Sequence, residues 1–243
     1  MSTMSRMRNL AEWAQLRAYH RGWLVSREPF KFRVLHAMRE RGITDVLDIG
    51  ANAGQFVEVL RKDGVQGRVV SVEPLPDAFE RLAAKAARDP RWEVERAAVS
   101  SSIGTITLNV SSNSVSSSVL PMLERHTEAA PSSVYVATEE VVATTVDDLV
   151  ARHGLDPERT LLKIDVQGYE RAVLEGAAAT LDRFGAVRTE LSLVALYDGQ
   201  PLLPDVVQLL DGHGLELWVL EQGFNHPVSR RQMQFDGTFF RRE

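Results

Sequence analysis

From Thr44 onward the chain alternates short apolar runs with amphipathic stretches. Brief runs rich in β-branched residues read as buried strands, and apolar positions recurring at helical spacing read as helices packed on one face. The pattern predicts strand 45–49 followed by helix 55–62, and strand 68–73 followed by helix 77–88. A strand at 92–99, an extra strand at 105–110 and a helix at 146–153 come next. Strand 160–165 then leads to helix 169–181, and strand 186–191 to helix 204–212. Two closing strands, 215–220 and 232–241, are joined by a turn-rich stretch with no helix, which predicts one antiparallel strand at or near a sheet edge. Strands alternating with helices predict an α/β domain whose mainly parallel sheet is covered on both faces.

Two helices precede this alternation, at about 10–24 and 29–41. The second has Pro29 near its start and Gly42 just past its end, the usual asymmetry of helix termini. Residues 1–42 therefore read as a helical extension and 43–243 as the main domain. One segment, about 111–140, breaks the rhythm with a serine-rich stretch and then Pro131-Ser132-Ser133. It reads as an inserted lid over the site or as a mobile surface insertion.

Composition narrows the classes. The 243 residues contain no cysteine, which excludes a disulfide framework, a thiolate nucleophile and a cysteine zinc site. No apolar run approaches membrane-spanning length, and Met1 to Leu10 lacks the apolar segment of a signal peptide. The expectation is a cytoplasmic protein, monomer or homodimer. Net charge is −5. Residues 1–42 hold nine Lys and Arg against three acids, or +6, so the remainder carries −11. That acidity argues against a nucleic-acid partner. The basic, aromatic start (Trp13, Arg17, Tyr19, Trp23) reads as a packed amphipathic helix, or as a face for an anionic or bulky ligand.

The candidate chemistry starts at Val46-Leu47-Asp48-Ile49-Gly50-Ala51-Asn52-Ala53-Gly54-Gln55-Phe56, a strand running through a glycine turn into a helix. Gly50 and Gly54 let backbone approach a ligand, and the helix start offers free N–H groups to a carboxylate. Glu73, followed by Pro74, ends the next strand about twenty residues on, where an acid accepts hydrogen bonds from ribose hydroxyls. This layout points to S-adenosylmethionine, with Asp48, Gly50, Ala51, Asn52, Gly54, Gln55, Phe56, Glu73, Pro74 and Asp165 as candidate cofactor residues. No P-loop is present, and Gly-Ala-Asn-Ala-Gly is not the dinucleotide fingerprint. A NAD-dependent oxidoreductase and a non-catalytic nucleoside-binding module are the competing classes. Asp48 is open to a second reading, as a residue that only bonds the loop backbone.

The chain resembles the FkbM-like methyltransferases over about residues 44–240. The likeness is carried by the glycine-turn segment, by Glu73-Pro74 and by Leu162-Lys163-Ile164-Asp165-Val166-Gln167-Gly168-Tyr169-Glu170. Later carriers are Glu190-Leu191-Ser192, Gly199-Gln200-Pro201 and Asp236-Gly237-Thr238-Phe239-Phe240. The resemblance implies a class I methyltransferase fold, a Rossmann-like sheet of seven mostly parallel strands, using S-adenosylmethionine. It also implies O-methylation of sugars or polyketide hydroxyls. The expected acceptor is therefore a saccharide or glycolipid precursor, with a polyketide or other small molecule as the alternative.

Methyl transfer needs an aligned acceptor oxygen and a home for its proton. Asp165 and Glu190 end neighbouring strands and are the candidate catalytic acids. Either a carboxylate or a histidine acts as base, or the two acids help hold Mg²⁺ and so acidify the hydroxyl. His126 is the candidate imidazole base. Asp165 has the further reading of binding the cofactor's amino group. Lys163 is expected to pair with an acid inside the sheet. Tyr169, Tyr197 and Gln200, at predicted strand-end loops, are the candidate substrate residues.

Overall fold

The structure, a computed structural model, describes residues 29–243. The expected helix at 10–24 lies outside the described residues. The chain divides into two compact units, Met1–Ala37 and Met38–Glu243, and the second carries the sheet. Helix α1, Pro29–Glu40, ends one residue before the predicted bound.

The strands of the large sheet are β1 (Asp45–Ile49), β2 (Val69–Val72) and β3 (Trp92–Glu95), with β7 (Thr160–Ile164), β8 (Ala186–Ser192), β9 (Leu215–Gln222) and β10 (Gln234–Arg241). Their spatial order is β3-β2-β1-β7-β8-β10-β9. All run parallel except β10, which is antiparallel to both β8 and β9. The antiparallel strand is thus one in from the edge. A three-stranded sheet joins β4 (Ala98–Val99), β6 (Tyr135–Thr144) and β5 (Gly104–Ser111), in that order.

Local chemistry accounts for the elements. β2 and β7 are buried along their whole length, as strands covered on both faces must be, and read as near-continuous apolar runs. Helix α2 (Gln55–Lys62) buries Val57 and Leu60, and ends on Arg61 and Lys62, whose charge suits its C-terminal dipole. After α3 (Pro76–Ala86) and the short α4 (Glu124–Ala129), helix α5 (Val146–His153) shows full capping. The Thr145 side chain accepts the Asp148 N–H at its start, and Gly154 closes its end with φ 57°. Helices α6 (Glu170–Glu175) and α7 (Leu203–Gly212) complete the set. Leu47, Ile49, Leu162, Ile164, Leu149, Val173, Leu174 and Leu210 belong to one buried cluster between sheet and helices.

Three expectations need correction. The run 92–99 is two strands, because the chain leaves the large sheet after Glu95 and Ala98–Val99 joins the small one. The helix expected at 169–181 stops at Glu175, and a short 3₁₀ turn, Leu181–Arg183, takes up the later part of its apolar pattern. The segment 111–140 contains α4 and more than half of β6, a ten-residue strand the apolar pattern did not reveal. In β6, Val136 and Val142 face solvent while Val141 and Ala143 are buried, and Glu139-Glu140 sits between them, so alternation is masked.

Candidate active site

The C-terminal ends of β1, β2 and β7 open on one cleft with about 100 Å³ of water-accessible space. Its rim carries Glu73, Asp165 and Asn52. Its walls are apolar, with Ala97, Val99, Leu108 and Val119. Ser114, Val115 and Ser117, from the serine-rich stretch after β5, line the same space.

The glycine turn is held from several sides. The N–H groups of Gly50 and Ala51 both donate to the Val72 carbonyl, at 3.0 and 3.1 Å. Gly50 has φ 72°, and a Cβ there would stand 1.9 Å from the Asp165 carbonyl oxygen, so no side chain fits. Asn52 takes a left-handed φ of 46° and donates its N–H to Glu73 Oε2 at 2.8 Å. Leu75 N–H donates to Glu73 Oε1 at 2.9 Å. Burial pushes the Glu73 carboxyl up, against the pull of these two N–H donors. Pro74 also lines the cleft.

The remaining candidate cofactor residues stand elsewhere. Gly54, the N-cap of α2, faces the Trp92 ring, which a Cβ would meet at 2.7 Å. Its missing side chain therefore serves packing rather than ligand approach. Gln55 is exposed and donates to Asn52 Oδ1 at 3.3 Å, outside the cleft wall. The Phe56 ring lies 5.7 Å from the Lys163 ammonium. Asp48 is fully buried and does not line the cleft. Its Oδ2 accepts the Ser71 hydroxyl at 3.1 Å, and its Oδ1 lies 3.0 Å from Lys163 Nζ.

Lys163 organises this floor. Asp48 and Lys163 are register partners on β1 and β7. The ammonium donates to the Gly50 carbonyl at 3.0 Å and lies 3.6 Å from Asp165 Oδ2. Burial would lower its pKa, but Asp48 and Asp165 hold it above the ordinary lysine value. The expected pairing with an acid inside the sheet is what these contacts describe.

Asp165, beyond the end of β7, keeps 41% of its side chain exposed and borders the cleft. Glu190, near the end of β8, is driven well above the ordinary carboxyl value, first by burial and then by Asp165, Glu170 and Asp236. Between the two stands Gln167, whose Nε2 donates to Asp165 Oδ1 at 2.9 Å and to Glu190 Oε2 at 2.8 Å. Glu170 is buried, accepts the Gly168 N–H at 3.0 Å, and is pushed up to about 7, chiefly by burial.

These contacts do not fit Mg²⁺ between Asp165 and Glu190. A cation needs free oxygen lone pairs, whereas an amide N–H₂ already lies between these carboxyls and an ammonium approaches the second Asp165 oxygen. Among the described residues, no group of three or more His, Cys, Asp or Glu side chains could hold a metal ion.

The other candidates divide. Tyr169 lines the cleft, with its hydroxyl 3.0 Å from Ser100 Oγ. Tyr197 is fully buried; its hydroxyl reaches Gln167 Oε1 at 3.0 Å and the Ser116 carbonyl at 3.2 Å. Gln200 is buried as well, accepting the Leu196 and Tyr197 N–H groups and donating to Ser192 Oγ. Both support the loop after β8 and neither faces the cleft. His126 on α4 is buried, edge-on to the Tyr197 ring at 5.0 Å and 5.9 Å from Phe224. Burial lowers its pKa. The structure does not bring it to the cleft, so the expectation of an imidazole base there is corrected.

Residues 48–224 match the family model of the methyltransferase FkbM domain. The chain belongs to the FkbM methyltransferase family. A curated relative, the hexuronic acid methyltransferase AglP of Haloferax volcanii, is 30% identical over 151 residues, which cover 60% of this chain and 56% of that protein. The chain thus spans about half the length of this relative. Among solved structures, the methyltransferase FkbM of Methylobacillus flagellatus KT is similar with a TM-score of 0.51 at 15% identity, covering 81% of this chain and 44% of that one. What the likeness shows is the fold, a mostly parallel seven-stranded sheet flanked by helices. Within this FkbM chain, Gln167 was not singled out as a site residue in the sequence, whereas the serine-rich stretch, expected as a lid or a mobile insertion, lines the cleft through Ser114, Val115 and Ser117. The Lys-Ile-Asp-Val-Gln-Gly block was the signal for Gln167, since it places a long amide two residues past Asp165.

Proposed function

We propose that this FkbM-family chain is an S-adenosylmethionine-dependent O-methyltransferase acting on a saccharide hydroxyl. The observation that carries the reading is the convergence of Glu73, the Gly50–Asn52 turn and Asp165 on one cleft with an acidic rim and apolar walls. That combination suits a nucleoside bearing a positive charge: apolar walls for the base, a carboxylate at the end of β2 for ribose hydroxyls, and acids for cationic groups. Bound there, S-adenosylmethionine supplies an electrophilic methyl group on sulfur. The Asp165 carboxylate, partly open to the cleft, is the group placed to take the proton from the acceptor hydroxyl. Burial, and after it the neighbouring Asp165, Glu170 and Asp236, raise the Glu190 carboxyl above its ordinary range. The likeness to a hexuronic acid methyltransferase supports a sugar acceptor.

Two measurements test this. Calorimetry should find S-adenosylhomocysteine bound and NAD unbound, and saturable NAD binding with no response to S-adenosylhomocysteine would sink the assignment. Labelled methyl groups should pass from S-adenosylmethionine to members of a panel of uronic acids, neutral saccharides and polyketides. Transfer confined to the polyketides would move the acceptor class.

A further inference from the structure

Gln167 sits at a left-handed position, φ 55°, directly after β7 and its trailing Asp165-Val166. Both hydrogens of its side-chain nitrogen are used, one on Asp165 and one on Glu190. Its side-chain oxygen accepts the buried Tyr197 hydroxyl at 3.0 Å. The reversed amide would set a carbonyl oxygen against two carboxyl oxygens, so the partners dictate the orientation. Its main-chain carbonyl accepts the Ser118 hydroxyl at 2.7 Å. The residue is tied to β7, β8, the loop after β8 and the serine-rich stretch at once.

Asp165 lines the cleft and Glu190 does not, and two carboxyl groups that share one amide nitrogen need a positive centre or a donor between them. A divalent cation does this in oxygen-ligand sites. A primary amide does it with two N–H groups at a fixed angle. We infer that the Gln167 amide takes the place of a divalent cation between Asp165 and Glu190, making it the positioning residue that sets both carboxyl groups for a metal-independent methyl transfer. The inference rests on the methyl-transfer reading of this cleft. Lys163 completes the arrangement from below, with its charge 3.6 Å from the Asp165 oxygen that the amide does not engage. The exposed part of Asp165 stays turned to the cleft while its position is held from two sides.

Manganese titration of the full chain, followed by electron paramagnetic resonance, tests the substitution of amide for cation. The unaltered protein should leave MnCl₂ free up to about 1 mM. Gln167→Glu adds a third carboxylate at the same place and should bind Mn²⁺ at least about tenfold more tightly, as oxygen-rich sites do. Gln167→Leu keeps the bulk and removes both donors. With the best acceptor of the panel above it should lower kcat by about tenfold or more, while S-adenosylhomocysteine affinity stays within about threefold, a split that mere loss of packing would not produce. Transfer by the unaltered protein should persist in EDTA. Mn²⁺ held by the unaltered protein and lost in Asp165→Asn overturns the inference, as does activity that EDTA abolishes and Mg²⁺ restores. So does unchanged kcat in Gln167→Leu, or a folded Gln167→Glu protein that binds Mn²⁺ no better than the original. A chain that binds no S-adenosylhomocysteine overturns the cofactor reading itself, a result distinguished from the others because the manganese arm needs no cofactor.

Discussion

Single residues decide whether the floor of the cleft holds. Lys163 is a buried cation whose charge is met by buried Asp48 and whose N–H groups reach the Gly50 carbonyl. Replacing it with Met leaves Asp48 as an uncompensated buried charge, which costs about 3–5 kcal/mol. Lys163→Met should therefore show a clear loss in chemical denaturation, and a variant as stable as the original would refute the pairing. Glu73 offers an acceptor oxygen to each of two N–H groups, from Asn52 and Leu75. Glu73→Gln turns one of those oxygens into a donor facing a donor, an unpaired buried contact worth about 1–3 kcal/mol. S-adenosylhomocysteine affinity should fall by about tenfold or more in calorimetry, and an unchanged affinity would remove Glu73 from the ribose-binding role. At this scale the sequence reading picked Glu73 and Asp165 as acids at the ends of strands near the glycine turn, and both border the cleft. It could not tell that Gly54 answers to Trp92, since that contact joins residues far apart in the chain.

At the scale of elements, the large sheet and the small sheet meet at the cleft through the serine-rich stretch. Ser118 pairs with Asn109 on β5 through main-chain bonds and donates its hydroxyl to the Gln167 carbonyl. Tyr197, from the loop after β8, reaches the Ser116 carbonyl. Three elements thus hold a stretch whose composition reads as loop. Ser118→Ala leaves a carbonyl without its partner, a loss of about 1 kcal/mol or somewhat more. The expected outcome is a lower melting temperature together with weaker S-adenosylhomocysteine binding, and a change in melting alone would show that the stretch does not shape the cleft. β6 escaped the apolar pattern because it belongs to a sheet with one open face. Its outward positions carry Val as well as Thr and Glu, and polarity no longer reports which way a side chain points.

Across the whole molecule, the acids gathered around β7, β8 and β10 make stability depend on pH. Glu170 stands at about 7 when folded, against an ordinary value of 4.5, chiefly because of burial. The folded state therefore binds more protons than the unfolded state between those values, and stability falls as pH rises from about 4.5 to about 7. Above 7 the loss from this group is complete, at roughly 3 kcal/mol by the ordinary conversion of pKa shift to energy. Glu190 is shifted in the same direction and adds to the decline. Denaturation at pH 5 and pH 8 should show the drop, and Glu170→Gln should make it smaller. A variant with the same drop as the original would mean that Glu170 is not the titrating group.

The sequence by itself determined the alternation of strands and helices, the antiparallel strand near the end, and the acids and glycines at the strand tips. These follow from local rules: burial on both faces enforces continuous apolar runs, and turns require particular residues. Only the tertiary structure decided which polar groups meet. Asp48 and Lys163 are 115 residues apart in the chain yet are register partners on adjacent strands. His126 went to an aromatic cluster, Tyr197 and Gln200 became loop supports, and Gln167 came to stand between Asp165 and Glu190. Those assignments depend on strand order and on hydrogen bonds across the sheet, which no periodicity along the chain encodes.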